Sequence, residues 1–546
     1  MTNRRSTLGL LAPSVLAPIL ALTITVGLNF SALAADGLNV EGGVIAAAEP
    51  DATGLRVYKG IPFAAPPVGD LRWKAPQAVK AWSGELTAKD WGPRCVQSSR
   101  LGNLDPLNKR MDEDCLYLNV WAPTPSAAAK AAEALPVMVW IHGGSNTNGA
   151  GSQPEYDGSA LARKGVVLVT INYRLDVFGF LAHPDLTAES GGKSSGNYAL
   201  LDQIAALQWV QKNISAFGGD PKNVTVFGES AGAMDISLLM ASPLAKGLFA
   251  KVIGESGGAL TPIAPFGPKP LATGEKEGQA LAQALEAKSL AELRAKPAAD
   301  ILAAVSKAPI TYGFGVVDGY VVPEHPADLY AKGKHNDVPF LGGWNADEGS
   351  LFAARMKAPT DAQAWVGMLG GMFKMRAGQA TSLYSSADAS LEGVRAGFTT
   401  LIGDQIISYG AWAWAENLAA KGKAPVYRYY FTRRPPLAPA LSIQPLSAPG
   451  VYHFAEVQYA FSNLQVQADW GWQDADRKLA DAMSSYWVNF AKKGDPNGPG
   501  LPAWPTYKAG KGGQVMELGA NIAVRDEPNR DRYELLDAHY KAAAGR

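Results

Sequence analysis

The stretch VTVFGESAGAMDISLLM, residues 224–240, predicts a β-strand, a tight turn and an α-helix in immediate succession. Its centre has the pattern G-x-S-x-G around Ser230, which in a strand–turn–helix setting is typical of a nucleophile on a strained turn. Gly228 and Gly232 leave room where a side chain would clash with the strand or the helix. We therefore expect the Ser230 hydroxyl at the carboxyl end of a strand, where a base can reach it and a helix N-terminus stabilises negative charge.

Apolar runs on both sides of this stretch predict further buried strands that alternate with helices. Residues 137–141 and 165–172 are rich in β-branched side chains, and residues 197–213 repeat apolar side chains at helical spacing. This alternation predicts an α/β fold with a mostly parallel central sheet and helices on both faces. Residues 274–307 are rich in Ala, Leu, Glu and Lys, and they predict a helical insertion that walls the active site.

A serine nucleophile needs a general base, and six histidines are available. They are His142, His183, His325, His335, His453 and His539. The chain order of serine, acid and histidine in this type of fold excludes the first two, because they precede Ser230. The next two precede the best acid candidates, and the last lies in the charged C-terminal tail. His453 remains as the base, whereas His142 is expected to organise its own loop.

The acid that orients the base is expected shortly after a late strand. The segment NADEG, residues 345–349, follows the predicted strand at 338–341 and offers two carboxylates, Asp347 and Glu348. A carboxylate at this place would hold the imidazole and stabilise its protonated form. The residues alone do not distinguish between the two.

Four segments of the chain resemble one known family. They are EDCLYLNV (113–120), FGESAG (227–232), DEG (347–349) and WVNFAKKGDP (487–496). Together they are similar to the type-B carboxylesterase family, which includes bacterial para-nitrobenzyl esterases and the cholinesterases, over about residues 38–510. The resemblance implies an α/β-hydrolase fold, places the acid on Glu348 and the base on His453, and pairs Cys95 with Cys115.

The resemblance also implies an oxyanion hole made of three backbone amides, those of Gly144, Ser145 and Ala231. Ser145 departs from the family, which has glycine or alanine there, although its amide still donates a hydrogen bond. Glu229 and Ser256 resemble positions that support the catalytic residues. No tryptophan lies between residues 96 and 114, where cholinesterases bind the cation of choline, so choline esters are not expected.

Residues 1–34 predict a cleaved signal peptide. A pair of arginines starts the segment, an uncharged apolar stretch follows, and small residues precede a cleavage site after Ala34. A retained membrane anchor is the alternative, but two prolines interrupt its helix. Arg4-Arg5 also fits a twin-arginine signal. We expect export to the periplasm or the medium, with a single mature domain over residues 35–546.

Cys95 and Cys115 are the two cysteines of the chain. An exported protein matures in oxidising surroundings, so we expect a disulfide between them, worth about 3 kcal/mol for a loop of this length. The alternative is a pair of buried free thiols. Two cysteines without a nearby histidine do not fill a zinc site, and the sequence contains no H-E-x-x-H motif. Neither a metal nor another cofactor is therefore expected.

The charge balance argues against a polyanion-binding role, because the chain has 50 Lys and Arg residues and 50 Asp and Glu residues. The motifs together predict an exported serine carboxylesterase that acts on a small-molecule ester through an acyl-enzyme, with no nucleic-acid partner and no anchor after processing. The alternatives are an inactive adhesion domain of the same fold, a lipase and an amidase. Four tryptophans, at positions 412, 414, 470 and 472, indicate either an aromatic gorge or ordinary core packing.

Overall fold

A mostly parallel β-sheet forms the centre of the computed structural model. The sheet has ten strands among the described residues, which are 37–98, 105, 108–124, 134–261, 267–307, 313–385, 390–436, 450–510 and 512–543. The predicted signal peptide, residues 1–34, lies outside the described residues, and so does the segment 437–449 that precedes the predicted base. The described residues from Gly37 onward form one compact unit.

The strands and helices alternate along much of the chain. The strands are β1 (Leu38–Val40), β2 (Gly43–Ile45), β3 (Leu55–Pro62), β4 (Glu85–Leu86), β5 (Arg94–Cys95), β6 (Met111–Asp112), β7 (Tyr117–Pro123), β8 (Leu135–Ile141), β9 (Val167–Ile171), β10 (Gly219–Glu229), β11 (Lys251–Glu255), β12 (Lys269–Pro270), β13 (Val316–Val317), β14 (Phe340–Asn345), β15 (Val426–Phe431), β16 (Gln514–Leu518) and β17 (Ile522–Asp526). The helices are α1 (Ser159–Arg163), α2 (Asp176–Phe180), α3 (Pro184–Glu189), α4 (Tyr198–Asn213), α5 (Ala231–Ala241), α6 (Leu271–Ala284), α7 (Leu290–Ala295), α8 (Ala298–Lys307), α9 (Pro326–Ala331), α10 (Ser350–Ala353), α11 (Ala362–Phe373), α12 (Ala377–Tyr384), α13 (Leu391–Gly403), α14 (Tyr409–Lys421), α15 (Val457–Ala460), α16 (Asp474–Lys493) and α17 (Arg530–Ala543). A π-helical turn, Asp404–Ser408, joins α13 to α14, and short 3-10 segments include Pro154–Tyr156 and Leu464–Trp470.

The strand order across the sheet is β17-β16-β15-β14-β11-β10-β8-β9-β7-β3. The run from β16 to β9 is parallel throughout, whereas β17, β7 and β3 pair antiparallel at the two edges. Chain order reverses around β8, because β9 lies on one side of it and β10 on the other. Such a switch point leaves a crevice at the carboxyl ends of the strands, and the turn that follows β10 lies there.

Both faces of the sheet are covered. In β8, Val139 and Ile141 pack into one hydrophobic core, and Met138 and Trp140 pack into a second. Because successive side chains of a strand point to opposite faces, strands that are apolar at every position are typical of parallel sheets buried on both sides. The predicted fold class, a mostly parallel sheet with helices on both faces, is therefore confirmed.

The elements predicted from the sequence overlap observed elements, although their ends differ by a few residues. The strands expected at 137–141 and 224–227 belong to β8 and β10, and the helix expected from residue 197 is α4. Residues 271–307 contain three helices, α6, α7 and α8. In the described ranges, no helix combines the length and apolar character that crossing a bilayer requires.

Candidate active site

Ser230 occupies the turn between β10 and α5 with φ +56° and ψ −122°, a strained conformation for a residue with a side chain. Neighbouring glycines permit this turn. A Cβ atom on Gly232 would lie 2.0 Å from the carbonyl oxygen of Ile141, and one on Gly228 would lie 2.5 Å from the same atom. The Ser230 N–H donates to the carbonyl of Glu255 at 2.9 Å. These contacts fix Ser230 at the carboxyl end of the sheet.

The His453 imidazole lies beside Ser230, although 223 positions separate the two residues in the chain. Its Nε2 is 2.8 Å from Ser230 Oγ. The loop that carries His453 is attached to the end of β14. The Val451 N–H donates to the Asp347 carboxylate at 2.8 Å, and Asn345 Nδ2 donates to a carbonyl of the same loop at 2.9 Å. The position of the imidazole therefore depends on the segment that also carries both acid candidates.

Of the two carboxylates that the residues left open, Glu348 contacts the imidazole. Its Oε2 is 2.6 Å from His453 Nδ1, and its Oε1 accepts a hydrogen bond from the Asn345 N–H at 2.8 Å. Glu348 is buried, whereas Asp347 is exposed. Because a carboxylate only accepts, the neutral imidazole carries its proton on Nδ1 and presents the lone pair of Nε2 to Ser230. Such a row of groups can remove the proton of a serine hydroxyl.

Buried carboxylates surround His453. Glu229 Oε1 is 3.2 Å from Nε2, and Glu348 and Glu456 also act on the ring. Burial by itself would lower the pKa of His453, but the negative charges outweigh burial and raise this pKa to about 9. Burial also raises the pKa of Glu229 well above its ordinary range, while the positive charge of the protonated imidazole opposes this rise and favours the carboxylate form. The site therefore stabilises the protonated form of the imidazole.

Glu456 also belongs to this site, although no motif in the sequence indicated it. Its Oε1 accepts a hydrogen bond from Ser256 Oγ and its Oε2 accepts one from Asn345 Nδ2, both at 2.5 Å. Burial and the charge of Glu348 raise the pKa of Glu456 to about 7. Ser256 follows β11 and so connects that strand to the loop of His453. The one sequence signal for Glu456 was its position three residues after the predicted base.

The predicted oxyanion-hole positions lie beside the same hydroxyl. Gly144 and Ser145 line the cavity that contains Ser230, and Ala231 begins α5, where first-turn amides have no partner inside the helix. Ser145 has φ +57°. Gly144 has φ +102°, and a Cβ atom there would lie 2.2 Å from the carbonyl oxygen of Asn148. Glycine is thus required at position 144, whereas the loop accommodates a side chain at 145.

Asn146 supports this loop, and no motif in the sequence indicated this role either. Its Nδ2 donates to Asp235 Oδ1 at 2.8 Å and to the Gly313 carbonyl at 2.7 Å. The Tyr173 hydroxyl is 2.9 Å from Asn146 Oδ1 and 2.6 Å from the His142 carbonyl oxygen, and the His142 ring stacks on Tyr173. Burial raises the pKa of Asp235 to about 7 and lowers that of His142 to about 4. A buried polar network therefore lies directly behind the loop.

A cavity of about 440 Å³ opens beside Ser230. Part of its wall is aromatic, and Phe352 packs against His453 with ring centroids 5.1 Å apart. Besides the imidazole, the charged side chains that line it among the described residues are Glu155, Glu229 and Arg355. A cavity with a largely apolar wall and a few polar groups suits a small organic molecule.

Several residues singled out from the sequence lie elsewhere. The four tryptophans do not line this cavity, and three of them are core residues: Trp412, Trp414 and Trp470. Helices α6 to α8 supply none of the described lining residues, whereas Leu351 and Phe352 of α10 do. The remaining histidines act as helix caps or in aromatic packing: His183, His325, His335 and His539. Within the described ranges, no cluster of His, Cys, Asp and Glu suited to a metal ion is found.

Cys95 and Cys115 form a disulfide with an S–S distance of 2.04 Å. The loop between them reaches the segment that carries the predicted oxyanion-hole positions. Gln97 Nε2 donates to the Gly149 carbonyl at 2.9 Å, and Gln97 Oε1 accepts from the Gly149 N–H at 3.0 Å. The disulfide loop therefore holds the far end of that segment through a pair of hydrogen bonds.

Comparison with known proteins identifies relatives of this chain. The model of the carboxylesterase family matches residues 37–536. The fumonisin B1 esterase of Sphingopyxis macrogoltabida is 37% identical over 500 residues, which cover 89% of this chain and 86% of that protein. The para-nitrobenzyl esterase of Bacillus subtilis (strain 168) is 37% identical over 506 residues, which cover 88% of this chain and 95% of that protein. A solved PNB esterase structure is similar with a TM-score of 0.78 at 35% identity, covering 92% of this chain and 99% of its own.

Proposed function

Because the chain belongs to the carboxylesterase family, it is a carboxylic ester hydrolase, and we propose that Ser230, His453 and Glu348 carry out its reaction. In this proposal Ser230 is the nucleophile, His453 is the general base, and Glu348 orients the imidazole. The observation that supports it most directly is a continuous chain of hydrogen bonds. Glu348 Oε2 lies 2.6 Å from His453 Nδ1, and His453 Nε2 lies 2.8 Å from Ser230 Oγ. The same chain of hydrogen bonds argues against the alternative that the protein is an inactive adhesion domain.

In the first half-reaction, His453 Nε2 accepts the proton of Ser230 Oγ while Oγ forms a bond to the carbonyl carbon of the ester. The N–H groups of Gly144, Ser145 and Ala231 stabilise the negative charge on the carbonyl oxygen. One such donor is worth about 3 kcal/mol in hydrolases. The protonated imidazole then gives its proton to the leaving alcohol as the C–O bond breaks, and the acyl group remains on Ser230.

In the second half-reaction, water takes the place of the alcohol. His453 Nε2 accepts a proton from the water, whose oxygen bonds to the acyl carbon, and the proton passes to Ser230 Oγ as the carboxylic acid leaves. His453 is transiently protonated in both halves. The carboxylates of Glu348 and Glu229, 2.6 and 3.2 Å from the ring nitrogens, stabilise that charge.

We further propose that residues 1–34 are removed after Ala34 and that the exported enzyme, residues 35–546, acts as one domain in the periplasm or the medium. The Cys95–Cys115 disulfide supports export, because disulfides persist in oxidising compartments. The proposed substrates are small-molecule esters. Para-nitrobenzyl esters are the first class to assay, since one relative is named after them.

Ser230→Ala tests the proposed nucleophile. The substitution should lower kcat/KM for para-nitrobenzyl acetate by about four powers of ten while the circular dichroism spectrum stays unchanged. A fluorophosphonate should label the unsubstituted enzyme at Ser230, as mass spectrometry of the labelled peptide would record. Ser215→Ala, at an exposed serine, is the matched control. Retention of about a tenth of the activity, or labelling of another serine, would contradict the assignment.

A further inference from the structure

Ser145 lines the cavity that contains Ser230, and its side chain is a single hydroxymethyl group. The residue is half-buried, so part of its surface is open to a bound molecule. Among the described residues, neither the N–H group nor the hydroxyl of Ser145 forms a hydrogen bond. Both groups are therefore available to a molecule in the cavity.

The structure around Ser145 covers its carbonyl side. A Cβ atom on Gly313 would lie 2.7 Å from the Ser145 carbonyl oxygen, so the backbone of Gly313 packs closely against that oxygen. The next residue, Asn146, is buried behind the loop, where its side chain contacts Asp235. The N–H group and the hydroxymethyl group remain as the parts of Ser145 that face the cavity.

The loop holds Ser145 in one conformation. Ser145 and Asn146 both have positive φ, +57° and +55°. The N–H groups of Thr147 and Asn148 each donate to the Gly144 carbonyl at 3.1 Å, so the residues on both sides of Ser145 are fixed. A substrate group that binds to a fixed side chain loses less affinity to conformational ordering than one that binds to a mobile side chain.

Covalent geometry places the Ser145 hydroxyl close to the ester carbonyl. In the proposed function, the N–H group of Ser145 donates to the carbonyl oxygen of the substrate. Three bonds separate the amide nitrogen of a serine from its Oγ, and the two atoms lie about 3 to 4 Å apart. On the acyl side, the carbon nearest to the carbonyl oxygen that can carry a polar substituent is C2. A hydroxyl group on C2 can therefore reach Ser145 Oγ.

We propose that the Ser145 hydroxyl determines specificity on the acyl side of the ester, by forming a hydrogen bond with a hydroxyl group on C2 of the acyl chain. This subsite depends on the proposed function, because the N–H group of Ser145 must hold the ester carbonyl. A hydroxyl both donates and accepts, so the two hydroxyl groups can pair in either direction. The enzyme then prefers esters of 2-hydroxy acids to esters of alkanoic acids of equal size.

Two para-nitrobenzyl esters of equal size test this subsite. The 2-hydroxyacetate has a hydroxyl group where the propanoate has a methyl group. The ratio of their kcat/KM values is measured in the unsubstituted enzyme and in Ser145→Ala, and comparison of the two ratios cancels the intrinsic reactivity of the esters. We expect the ratio of 2-hydroxyacetate to propanoate to fall about three- to tenfold in Ser145→Ala, the effect of losing one neutral hydrogen bond.

Two further variants make the test specific. Ser145→Gly tolerates the positive φ and should lower the ratio to the same extent, so strain from alanine would not be the cause. Thr147→Val removes a hydroxyl from the same loop but away from the described lining of the cavity, and it should leave the ratio within about twofold.

An unchanged ratio in Ser145→Ala overturns the subsite, even where kcat/KM falls equally for both esters, because the hydroxyl would then act on the carbonyl oxygen that both esters share. A ratio that falls in Ser145→Ala but not in Ser145→Gly overturns it as well. Hydrolysis of the propanoate that persists in Ser230→Ala overturns the proposed function instead.

Discussion

Asn146 Nδ2 donates a hydrogen bond to Asp235 Oδ1 at 2.8 Å. Asn146 follows Ser145 in the loop after β8, and Asp235 lies in α5, five residues after Ser230. One bond therefore connects the two sides of the proposed oxyanion hole. Asn146 and Asp235 are both buried, and hydrogen bonds gain electrostatic strength where water is excluded.

Asn146→Ala should therefore lower kcat more than it changes KM. Without the bond to Asp235, the amides of Gly144 and Ser145 lose their fixed position. Because these amides act on charge that develops only in the transition state, we expect kcat to fall about 10- to 100-fold and KM to stay within about threefold. Thr147→Val, in the same loop, should change kcat by less than about threefold. Equal losses of kcat in the two variants would contradict this role of Asn146.

Glu348→Gln should be far more damaging than Asp347→Asn. A neutral amide at position 348 would not stabilise the protonated imidazole, so kcat/KM should fall about 10³- to 10⁴-fold. Asp347 instead accepts from the Val451 N–H, and an asparagine keeps an acceptor there, so the loss should stay below about tenfold. Steady-state kinetics of both variants with one ester provide the comparison. The assignment of the acid is wrong if the Asp347 variant is the more impaired.

The acid limb of the pH profile should report the environment of His453. Protonated His453 cannot accept the serine proton, so kcat/KM should fall about tenfold per pH unit below its pKa. Since the neighbouring carboxylates raise this pKa to about 9, the limb should lie above pH 6.5, the ordinary value. Glu229→Gln removes a negative charge 3.2 Å from Nε2 and should move the midpoint of the limb to lower pH, by about one unit. An unmoved midpoint would mean that Glu229 is uncharged in the free enzyme.

Removal of the Cys95–Cys115 disulfide should lower both stability and rate. A loop of this length is worth about 3 kcal/mol, so the double variant Cys95→Ala/Cys115→Ala should melt several degrees lower in calorimetry. Its kcat should also fall, because Gln97 would hold Gly149 less firmly. Thiol titration of the enzyme, unfolded without reductant, should find no free thiol. Two titrating thiols, or an unchanged melting temperature, would disprove this account.

Local patterns account for most of what the sequence could predict. The strand, the glycines and the helix around Ser230 lie within about twenty residues, so steric rules alone indicate the turn between them. The parallel sheet follows from apolar runs whose every residue is buried, as in β9. The role of Ser230 followed from its motif, that of His453 from chain order and the family resemblance, and that of Glu348 from the resemblance, and these roles remain predictions.

Contacts between distant segments could not be predicted from local sequence patterns of this kind. Asn146 meets Asp235 across 89 positions, and Ser256 meets Glu456 across 200. No sequence pattern indicates which distant residue a polar loop residue will contact, because the two residues meet only in the folded chain. The insertion at 274–307 was expected to wall the cavity, but its described residues do not line it. Composition predicts that a segment is helical without predicting which part of the sheet the helix covers.

The proposed catalytic residues lie far apart in the sequence, and this separation determines when esterase activity returns during refolding. Glu348 and His453 are 105 positions apart, and Ser230 and His453 are 223 apart. Closing loops of this size costs entropy that only a nearly complete fold offsets, so such contacts form late. During refolding from denaturant, helical signal should therefore return before esterase activity. Hydrolysis thus reports completion of folding, and partly folded chains with intact helices would give no signal in the assay.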